Sequence, residues 1–193
     1  MLGLKLATDP RWVKLAEKSI EEILIDHAYC EQKATSTCIS IIINFPEYKD
    51  VVKELTPIVS EEWSHFKMVL NELDKRGLSL TRMRKDEYVS QLSKAMIKGG
   101  NHNDRLVEKL LLAGLIEARS CERFRLLSLH ISDDNLKEFY HKLMISEAGH
   151  YRLFLDLATK YSSEKYVKKR FDEMLDLEAK ILQSFELRGD RVH

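Results

Sequence analysis

The chain has 193 residues, and its 31 Lys and Arg residues balance 31 Asp and Glu residues, so the formal net charge is zero. This length suits one domain with a substantial core, and the neutral balance does not require a nucleic-acid or membrane partner, although a neutral total can include a local basic patch. With seven Gly and three Pro residues the chain is poor in helix breakers, which excludes a loop-rich fold and favours helices.

The first long helix is predicted to begin at Thr8-Asp9-Pro10, where a capping residue precedes proline, and to end before Phe45-Pro46. A second helix runs from about residue 47 to residue 76 and is capped by Gly77. It contains Pro57, so we expect a kink or a short break there. A shorter helix is predicted over residues 86–97, before a glycine-rich loop.

The second half of the chain repeats this pattern of long helices and short turns. One helix is predicted over residues 104–130, and Ser132-Asp133-Asp134 then caps another that reaches about Lys160. A last helix follows Tyr161-Ser162-Ser163 and ends near Gly189. No segment alternates as a strand would. Long helices joined by short turns pack antiparallel, so we expect an all-α, antiparallel four-helix bundle with one or two extra helices.

The cysteines limit the kinds of metal or disulfide site that the chain can form. The first ten residues bear on where the protein is located. Cys30, Cys38 and Cys121 form no CxxC pair, which argues against a disulfide framework, a zinc knuckle or a rubredoxin-type centre. The first ten residues contain no apolar run long enough for a signal peptide or a membrane span. We therefore expect one cytoplasmic domain over residues 1–193, with a core bundle at about 9–160 and a C-terminal helix at about 163–188, and no membrane partner.

Acidic and imidazole side chains fall on the apolar stripes of the four long helices, where the spacing of three or four residues places them on the buried face. They are Glu31, Glu62, His65, Glu117, Glu147 and His150. An isolated buried carboxylate costs several kcal/mol, so four of them require compensation. One Glu from each of two helices and Glu-x-x-His from each of the other two is the ligand set of ferritin-like di-iron bundles. The sequence therefore predicts a ferritin-like fold with a di-iron site.

The spacing of the six residues supports this interpretation. Glu31 and the Glu62/His65 pair lie at similar distances from the turn at Pro46, and Glu117 and the Glu147/His150 pair lie at similar distances from the turn at residues 132–134. The separations between the halves are also nearly equal, at 86 residues from Glu31 to Glu117 and 85 from Glu62 to Glu147. This pattern indicates a duplicated helical hairpin.

A third Glu-x-x-His pair, Glu138 and His141, tests the motif, because the motif is short. Glu138 is about half a turn from the phase of Glu147, and its partner at the same spacing would be Glu108. The midpoint between Glu108 and Glu138 falls inside a predicted helix, where no turn is possible. We therefore expect this third pair to lie on the surface.

Carboxylates with one imidazole per metal suit iron or manganese better than zinc or copper, and iron is favoured here. Three neighbouring residues each have two interpretations. His27 is either a hydrogen-bonding partner of a ligand or a core histidine. Cys121 either lines an oxygen pocket or packs in the core, and Gly149 either gives room beside His150 or packs closely.

Four segments resemble the bacterial family of tRNA-(2-methylthio-N6-isopentenyladenosine) hydroxylases. They are Asp26-His-Ala-Tyr-Cys-Glu-Gln-Lys-Ala34, Glu61-Glu-Trp-Ser-His-Phe66, Ile116-Glu-Ala-Arg-Ser-Cys-Glu-Arg-Phe124 and Ser146-Glu-Ala-Gly-His-Tyr151. The resemblance implies a non-heme di-iron monooxygenase that hydroxylates the isopentenyl group of an adenosine beside the anticodon. It implies the six ligands named above, two iron ions cycling between Fe2+ and Fe3+, O2 as co-substrate and an external electron donor. The implied partners are a tRNA anticodon stem-loop and an electron-transfer protein or reductase, with the enzyme a monomer or small oligomer.

A tRNA substrate requires cations that contact phosphates. Two groups are candidates, one at Arg82, Arg84 and Lys85 and the other at Lys165, Lys168, Lys169 and Arg170, and either group is equally compatible with an ordinary solvated face. Arg119, Arg123 and Arg125 are candidates for ion pairs that brace the bundle.

Three rival functions remain compatible with the sequence. They are a ferroxidase or iron-storage ferritin, another di-iron oxidase or peroxidase, and a non-catalytic helical protein. The missing CxxC pairs count against a peroxidase that carries a rubredoxin centre.

Overall fold

The computed structural model describes residues 2–83 and 85–192, and in those residues all regular secondary structure is helical. The seven helices are α1 (Arg11–Lys18), α2 (Ile20–Asn44), α3 (Lys49–Lys75), α4 (Glu87–Ala95), α5 (His102–His130), α6 (Asp134–Tyr161) and α7 (Glu164–Gln183). Among the described helices, none combines the length and the apolar character needed to cross a membrane.

The chain divides into two compact units. The α2–α3 unit contains residues 11–85 and 188–192, and the α5–α6 unit contains residues 2–10 and 86–187. Each unit is built around one antiparallel helical hairpin, for which it is named. The expectation of a single domain over residues 1–193 stays a prediction.

In the α2–α3 unit, the first long helix that the sequence predicted is divided in two. Ser19, with φ −126° and ψ 35°, separates α1 from α2. Its amide donates to the Ala16 carbonyl at 3.0 Å, and its carbonyl accepts from the Ile23 amide at 3.0 Å as α2 begins. The other end of α2 is as predicted: the helix stops at Asn44, and Phe45 takes a non-helical conformation before Pro46.

Helix α3 continues through Pro57, so the short break that the sequence allowed is absent. Pro57 cannot donate to the carbonyl of Lys53, but both residues lie on the exposed side of the helix. Water can therefore hydrate that carbonyl without loss of core packing. The helix ends as predicted, because Gly77 adopts φ +68° and the Leu78 amide donates to the Leu73 carbonyl at 3.0 Å.

In the α5–α6 unit, side-chain caps fix the helix ends. Asn101 and Asp104 form a capping box, so α5 begins at His102, two residues before the predicted start. Asp133 caps α6 and Ser163 caps α7, both as expected. Helix α7 ends at Gln183, which is earlier than the predicted end near residue 188.

A buried ion-pair network joins α5 to α7, α4 and the N-terminal segment within this unit. Arg119, which is fully buried, donates to both carboxylate oxygens of Glu178 at 2.8 and 3.0 Å and also to Glu122. Tyr88 donates to Glu178 at 3.1 Å, and burial raises its pKa well above the ordinary value. Thr8 donates to Glu122 through both its amide and its hydroxyl. Arg119 therefore braces the helices through ion pairs, the role for which the sequence made it a candidate.

The last described residues, 188–192, belong to the α2–α3 unit rather than to the helix that precedes them. Arg191 pairs with Asp26 of α2 at 2.6 Å, and the Val192 amide donates to the same carboxylate at 2.8 Å. The Val192 side chain is fully buried. Gly189 lies so close to α1 that a Cβ atom there would be 2.2 Å from the Leu15 carbonyl carbon. These residues, which we call the C-terminal strap, are thus fastened to α1 and α2.

Candidate metal centre

In the α2–α3 unit, Glu31, Glu62 and His65 form a buried triad. One ligand atom from each residue lies within 4.8 Å of those of the other two. The Nδ1 atom of His65 is 3.5 Å from Oε2 of Glu31 and 3.6 Å from Oε2 of Glu62. The helical register explains the arrangement, because Glu62 and His65 are one turn apart on α3 and face α2 at the height of Glu31. All three side chains can therefore donate to one metal ion.

Two further residues contact this triad from outside. His27, fully buried on α2, places Nε2 2.6 Å from Oε1 of Glu31. On α3, Oε1 of Glu61 is 4.0 Å from Nε2 of His65, the ring nitrogen on the other side from the triad. Partners of this kind fix the orientation of metal ligands and the tautomer of a ligating histidine. His27 therefore takes the first of its two interpretations, as a partner of Glu31.

The α5–α6 unit contains a second triad of the same composition, formed by Glu117, Glu147 and His150. The three side chains are buried, and one ligand atom from each lies within 4.8 Å of the others. The Nδ1 atom of His150 is 3.5 Å from Oε2 of Glu147. Each hairpin thus supplies two carboxylates and one imidazole, as the internal duplication of the sequence predicted.

The donor chemistry of the triads fits divalent or trivalent iron. Carboxylate oxygens and imidazole nitrogens are the ligands of ferritin-like di-iron sites, and four carboxylates balance the charge of two divalent cations. Burial of these groups without a counter-charge would be costly, whereas a bound cation offsets that cost. The protein therefore has buried Glu and His clusters that can bind metal.

The residues that the sequence left with two interpretations are now placed. Cys121 is buried and donates to the Met144 carbonyl at 3.4 Å. Burial, and next the charge of Glu147, raise the pKa of its thiol to about 11. Gly149 is exposed, and a Cβ atom there would meet no atom within 4 Å, so neither of its two predicted roles applies.

The third Glu-x-x-His pair lies on the surface, as predicted. The side chain of Glu138 is 70% exposed and pairs with Lys142 at 2.8 Å, and His141 is also exposed. This pair contributes no ligand to either triad. The phase of a Glu on its helix therefore distinguishes the buried motifs from this exposed copy.

The two candidate groups of cations differ in the structure. Arg82 and Lys85 are exposed, whereas Arg84 lies outside the described residues. In the second group Arg170 is buried and donates to Glu108 at 2.6 and 3.1 Å, so its assignment to a surface patch was wrong. The other three members of that group are exposed.

A family model matches residues 2–193, nearly the whole chain, and its description is tRNA-(MS[2]IO[6]A)-hydroxylase (MiaE). The chain belongs to this hydroxylase family. A relative from Pseudomonas putida, named tRNA 2-(methylsulfanyl)-N(6)-isopentenyladenosine(37) hydroxylase, is 34% identical over 177 residues, which cover 92% of this chain and 85% of the relative. A Salmonella typhimurium protein of the same name is 32% identical over 121 residues, covering 62% of this chain and 43% of that protein.

A solved structure of another protein provides independent evidence for the fold of this chain. It is a Synechococcus protein described as having aldehyde deformylating oxygenase activity. It is 33% identical, covers 98% of this chain and 94% of its own, and superposes with a TM-score of 0.93. This likeness confirms the ferritin-like, antiparallel four-helix bundle that the sequence predicted.

Sequence analysis named Arg119 as a candidate for ion pairs but not its partner Glu178, and it missed the buried Arg170–Glu108 pair and Asp26. The Arg119–Glu178 and Arg170–Glu108 pairs join residues 59 and 62 positions apart, and no local spacing connects them. A signal existed in α5, where Glu108 and Arg119 lie in phase with the apolar residues Leu111 and Leu115 between them. Asp26 gave no such signal, because its partners are at the C-terminus of the chain.

Proposed function

We propose that the two triads hold two iron ions and that the protein hydroxylates the isopentenyl group of 2-methylthio-N6-isopentenyladenosine beside the anticodon of tRNA. One observation carries the proposal: a chain that belongs to this hydroxylase family contains two matching, buried Glu/Glu/His triads. The proposed ligands and catalytic residues are Glu31, Glu62, His65, Glu117, Glu147 and His150.

The side chains would act by holding and orienting the metal ions in a dry environment. Each triad offers two carboxylates and one imidazole, and His27 helps to keep Glu31 in its orientation. The bound irons would supply the activation of O2. Ile58 and Phe66, which are buried one turn on either side of Glu62 on α3, help to keep water from the ligands.

The balance of the reaction requires a reductant. One atom of O2 enters a C–H bond of the isopentenyl group, and the other leaves as water with two electrons and two protons. We therefore propose that an external electron-transfer protein or reductase supplies the electrons. Because the substrate is tRNA, we also propose that the protein acts in the cytoplasm.

A second substrate class has one specific observation in its favour. The Synechococcus neighbour matches this chain closely in fold and length, and it is described by an activity on aldehydes. The two substrates make different demands, because an aldehyde needs only an apolar cavity whereas tRNA also needs phosphate contacts. Both substrates therefore belong in the test.

The test is a single turnover of the reduced, iron-loaded protein with O2 and an isopentenylated anticodon stem-loop, followed by mass analysis of the nucleosides. We expect a gain of one oxygen atom on the adenosine, and no gain with Glu62→Ala. An aldehyde is the parallel substrate. Oxygen consumption with conversion of the aldehyde and an unmodified stem-loop would contradict the tRNA proposal, and absence of bound iron would contradict the site.

A further inference from the structure

A short segment after α3 has exposed cations, and side chains from other parts of the chain hold its backbone through hydrogen bonds. We call residues 78–83 and 85 the tethered loop. It contains Arg82 and Lys85, both exposed, and the partly exposed apolar side chains of Leu80 and Met83. The sequence from residue 78 to residue 85 includes no acidic residue. The segment is neither helix nor strand in its described residues, so its shape depends on contacts with other elements.

Two contacts fix the tethered loop to α2. The Tyr29 hydroxyl donates to the Thr81 carbonyl at 2.6 Å. At the other end, Arg191 of the C-terminal strap donates to the Lys85 carbonyl at 3.3 Å while it pairs with Asp26. The second contact is itself anchored, since the buried Val192 binds the same Asp26 carboxylate through its amide. The strap thus connects the loop to the helix that carries Glu31.

The anchors set the height of the loop along α2. Tyr29 precedes Glu31 by two residues and Asp26 precedes it by five, which corresponds to about 3 and 8 Å along the helix axis. Both anchors are on a different side of α2 from Glu31, so the loop passes about one helix diameter, roughly 10 Å, from the triad. Phosphates that bind the loop would therefore lie beside α2, near the height of Glu31.

The second group of candidate cations, on α7, is less suited to binding phosphates. Its members are Lys165, Lys168, Lys169 and Arg170. Arg170 is buried against Glu108, and Lys169 lies 3.8 Å from Glu173. The stretch from residue 164 to residue 173 also contains three acidic residues, which offset most of its positive charge. Phosphate binding depends on uncompensated cations, which favours the tethered loop.

We propose that the tethered loop binds the phosphate backbone of the RNA substrate, and that Asp26, Arg191 and Val192 are positioning residues that hold the loop in place for this contact. The proposal rests on the proposed function for the identity of the RNA. It adds the surface that binds the RNA and gives the C-terminal strap a role in substrate affinity.

The first experiment measures binding of a labelled isopentenylated anticodon stem-loop to the iron-loaded full-length protein as salt is varied. Arg82→Gln and Lys85→Gln should each weaken binding roughly fivefold and reduce the slope of log affinity against log salt by about one. The control is Lys53→Gln, which removes the same charge near the opposite end of α3 and should leave binding unchanged. Unchanged binding in both loop variants, or an equal loss with Lys168→Gln, would overturn the loop assignment.

The second experiment separates positioning from charge. Asp26→Asn removes a negative charge, so simple electrostatics predicts tighter RNA binding, whereas loss of the strap predicts weaker binding. We expect KM for the stem-loop to rise roughly fivefold while kcat and iron content stay constant, with faster hydrogen exchange in the tethered loop. Glu21→Gln, an exposed residue on the same helix, is the control with the same charge change. Arg191→Met tests the same pair from its more exposed partner.

The outcomes distinguish this inference from the proposed function. A KM that is unchanged or lower in both Asp26→Asn and Arg191→Met would overturn the positioning role while hydroxylation by the wild-type protein stands. If the wild-type protein binds the stem-loop but adds no oxygen to it, the proposed function fails, and the binding data still decide for or against the loop. If the wild-type protein does not bind the stem-loop at all, both proposals fail.

Discussion

The identity of a Glu or His residue matters less in this protein than its phase on the helix. Helix α6 shows this within one element, because it carries two Glu-x-x-His pairs. Glu147 and His150 are buried, whereas Glu138 and His141 face solvent. The nine residues between the two glutamates amount to about half a turn beyond two full turns, which moves one pair to the opposite face.

This pair of motifs gives a matched test of the metal site. Glu147→Ala removes a carboxylate from a triad, so we expect bound iron to fall from two ions per chain to one or fewer. Glu138→Ala removes an exposed carboxylate paired only with Lys142 in the described contacts and should leave the iron content unchanged. The measurement is iron per chain after reconstitution and desalting. Two retained irons in Glu147→Ala would exclude this residue as a ligand.

At the scale of the helices, buried ion pairs hold α5 in place. Helix α5 is unusual in having polar residues buried on both sides, with Glu117 in a triad and Arg119 in the ion-pair network. A buried ion pair adds little net stability over an apolar pair, but removal of one partner leaves the other charge buried. The network therefore makes the position of α5 sensitive to single substitutions far from the triad.

Arg119→Met should destabilise the protein by about 3–5 kcal/mol, because it leaves Glu178 and Glu122 buried without their cation. Combination with Glu178→Met should restore part of this loss, because an apolar pair then replaces the ionic one. Lys142→Met, which breaks an exposed pair on α6, should cost no more than about 0.5 kcal/mol. Urea unfolding with iron-free protein measures all three. A loss under 1 kcal/mol in Arg119→Met would show that the network does not support the fold.

At the scale of the whole molecule, the order of elements in space departs from their order in the chain. Residues 2–10 belong with α5 and α7, through contacts such as those between Thr8 and Glu122. The C-terminal strap returns to the α2–α3 unit and fastens to Asp26. Both termini therefore contribute to units whose helices lie elsewhere in the sequence, which raises the loop-closure cost of folding but couples distant segments.

The packing of the C-terminal strap on α1 can be tested by the same substitution at two glycines, Gly189 in the strap and Gly149 as the control. A Cβ atom at residue 189 would meet the Leu15 backbone at 2.2 Å, so Gly189→Ala should displace the strap and make residues 188–192 susceptible to proteolysis. A Cβ atom at the exposed position 149 would meet no other atom, so Gly149→Ala should stabilise α6 by up to about 1 kcal/mol. Limited proteolysis and urea unfolding compare the two variants. An intact strap in Gly189→Ala would contradict its tight packing on α1.

The helices, the ferritin-like fold and the composition of both triads could be predicted from the sequence. They depend on periodicity and capping, which operate within a few residues, and on a duplicated pattern that places each Glu at a matching height. Local spacing could not predict the continuity of α3 through Pro57, because that depends on whether water reaches the Lys53 carbonyl.

Other features were decided only by the tertiary structure. Arg170 resembles a surface cation in sequence, yet it is buried because Glu108, 62 residues away, supplies its counter-charge. Asp26 and Arg191 are 165 residues apart, and neither has a sequence signal that identifies the other. The sequence by itself determined which faces of the helices are apolar and which glutamates interrupt them, because helical periodicity is local. Only the tertiary structure determined which charges meet, because a buried charge requires a partner and that partner can come from any part of the chain.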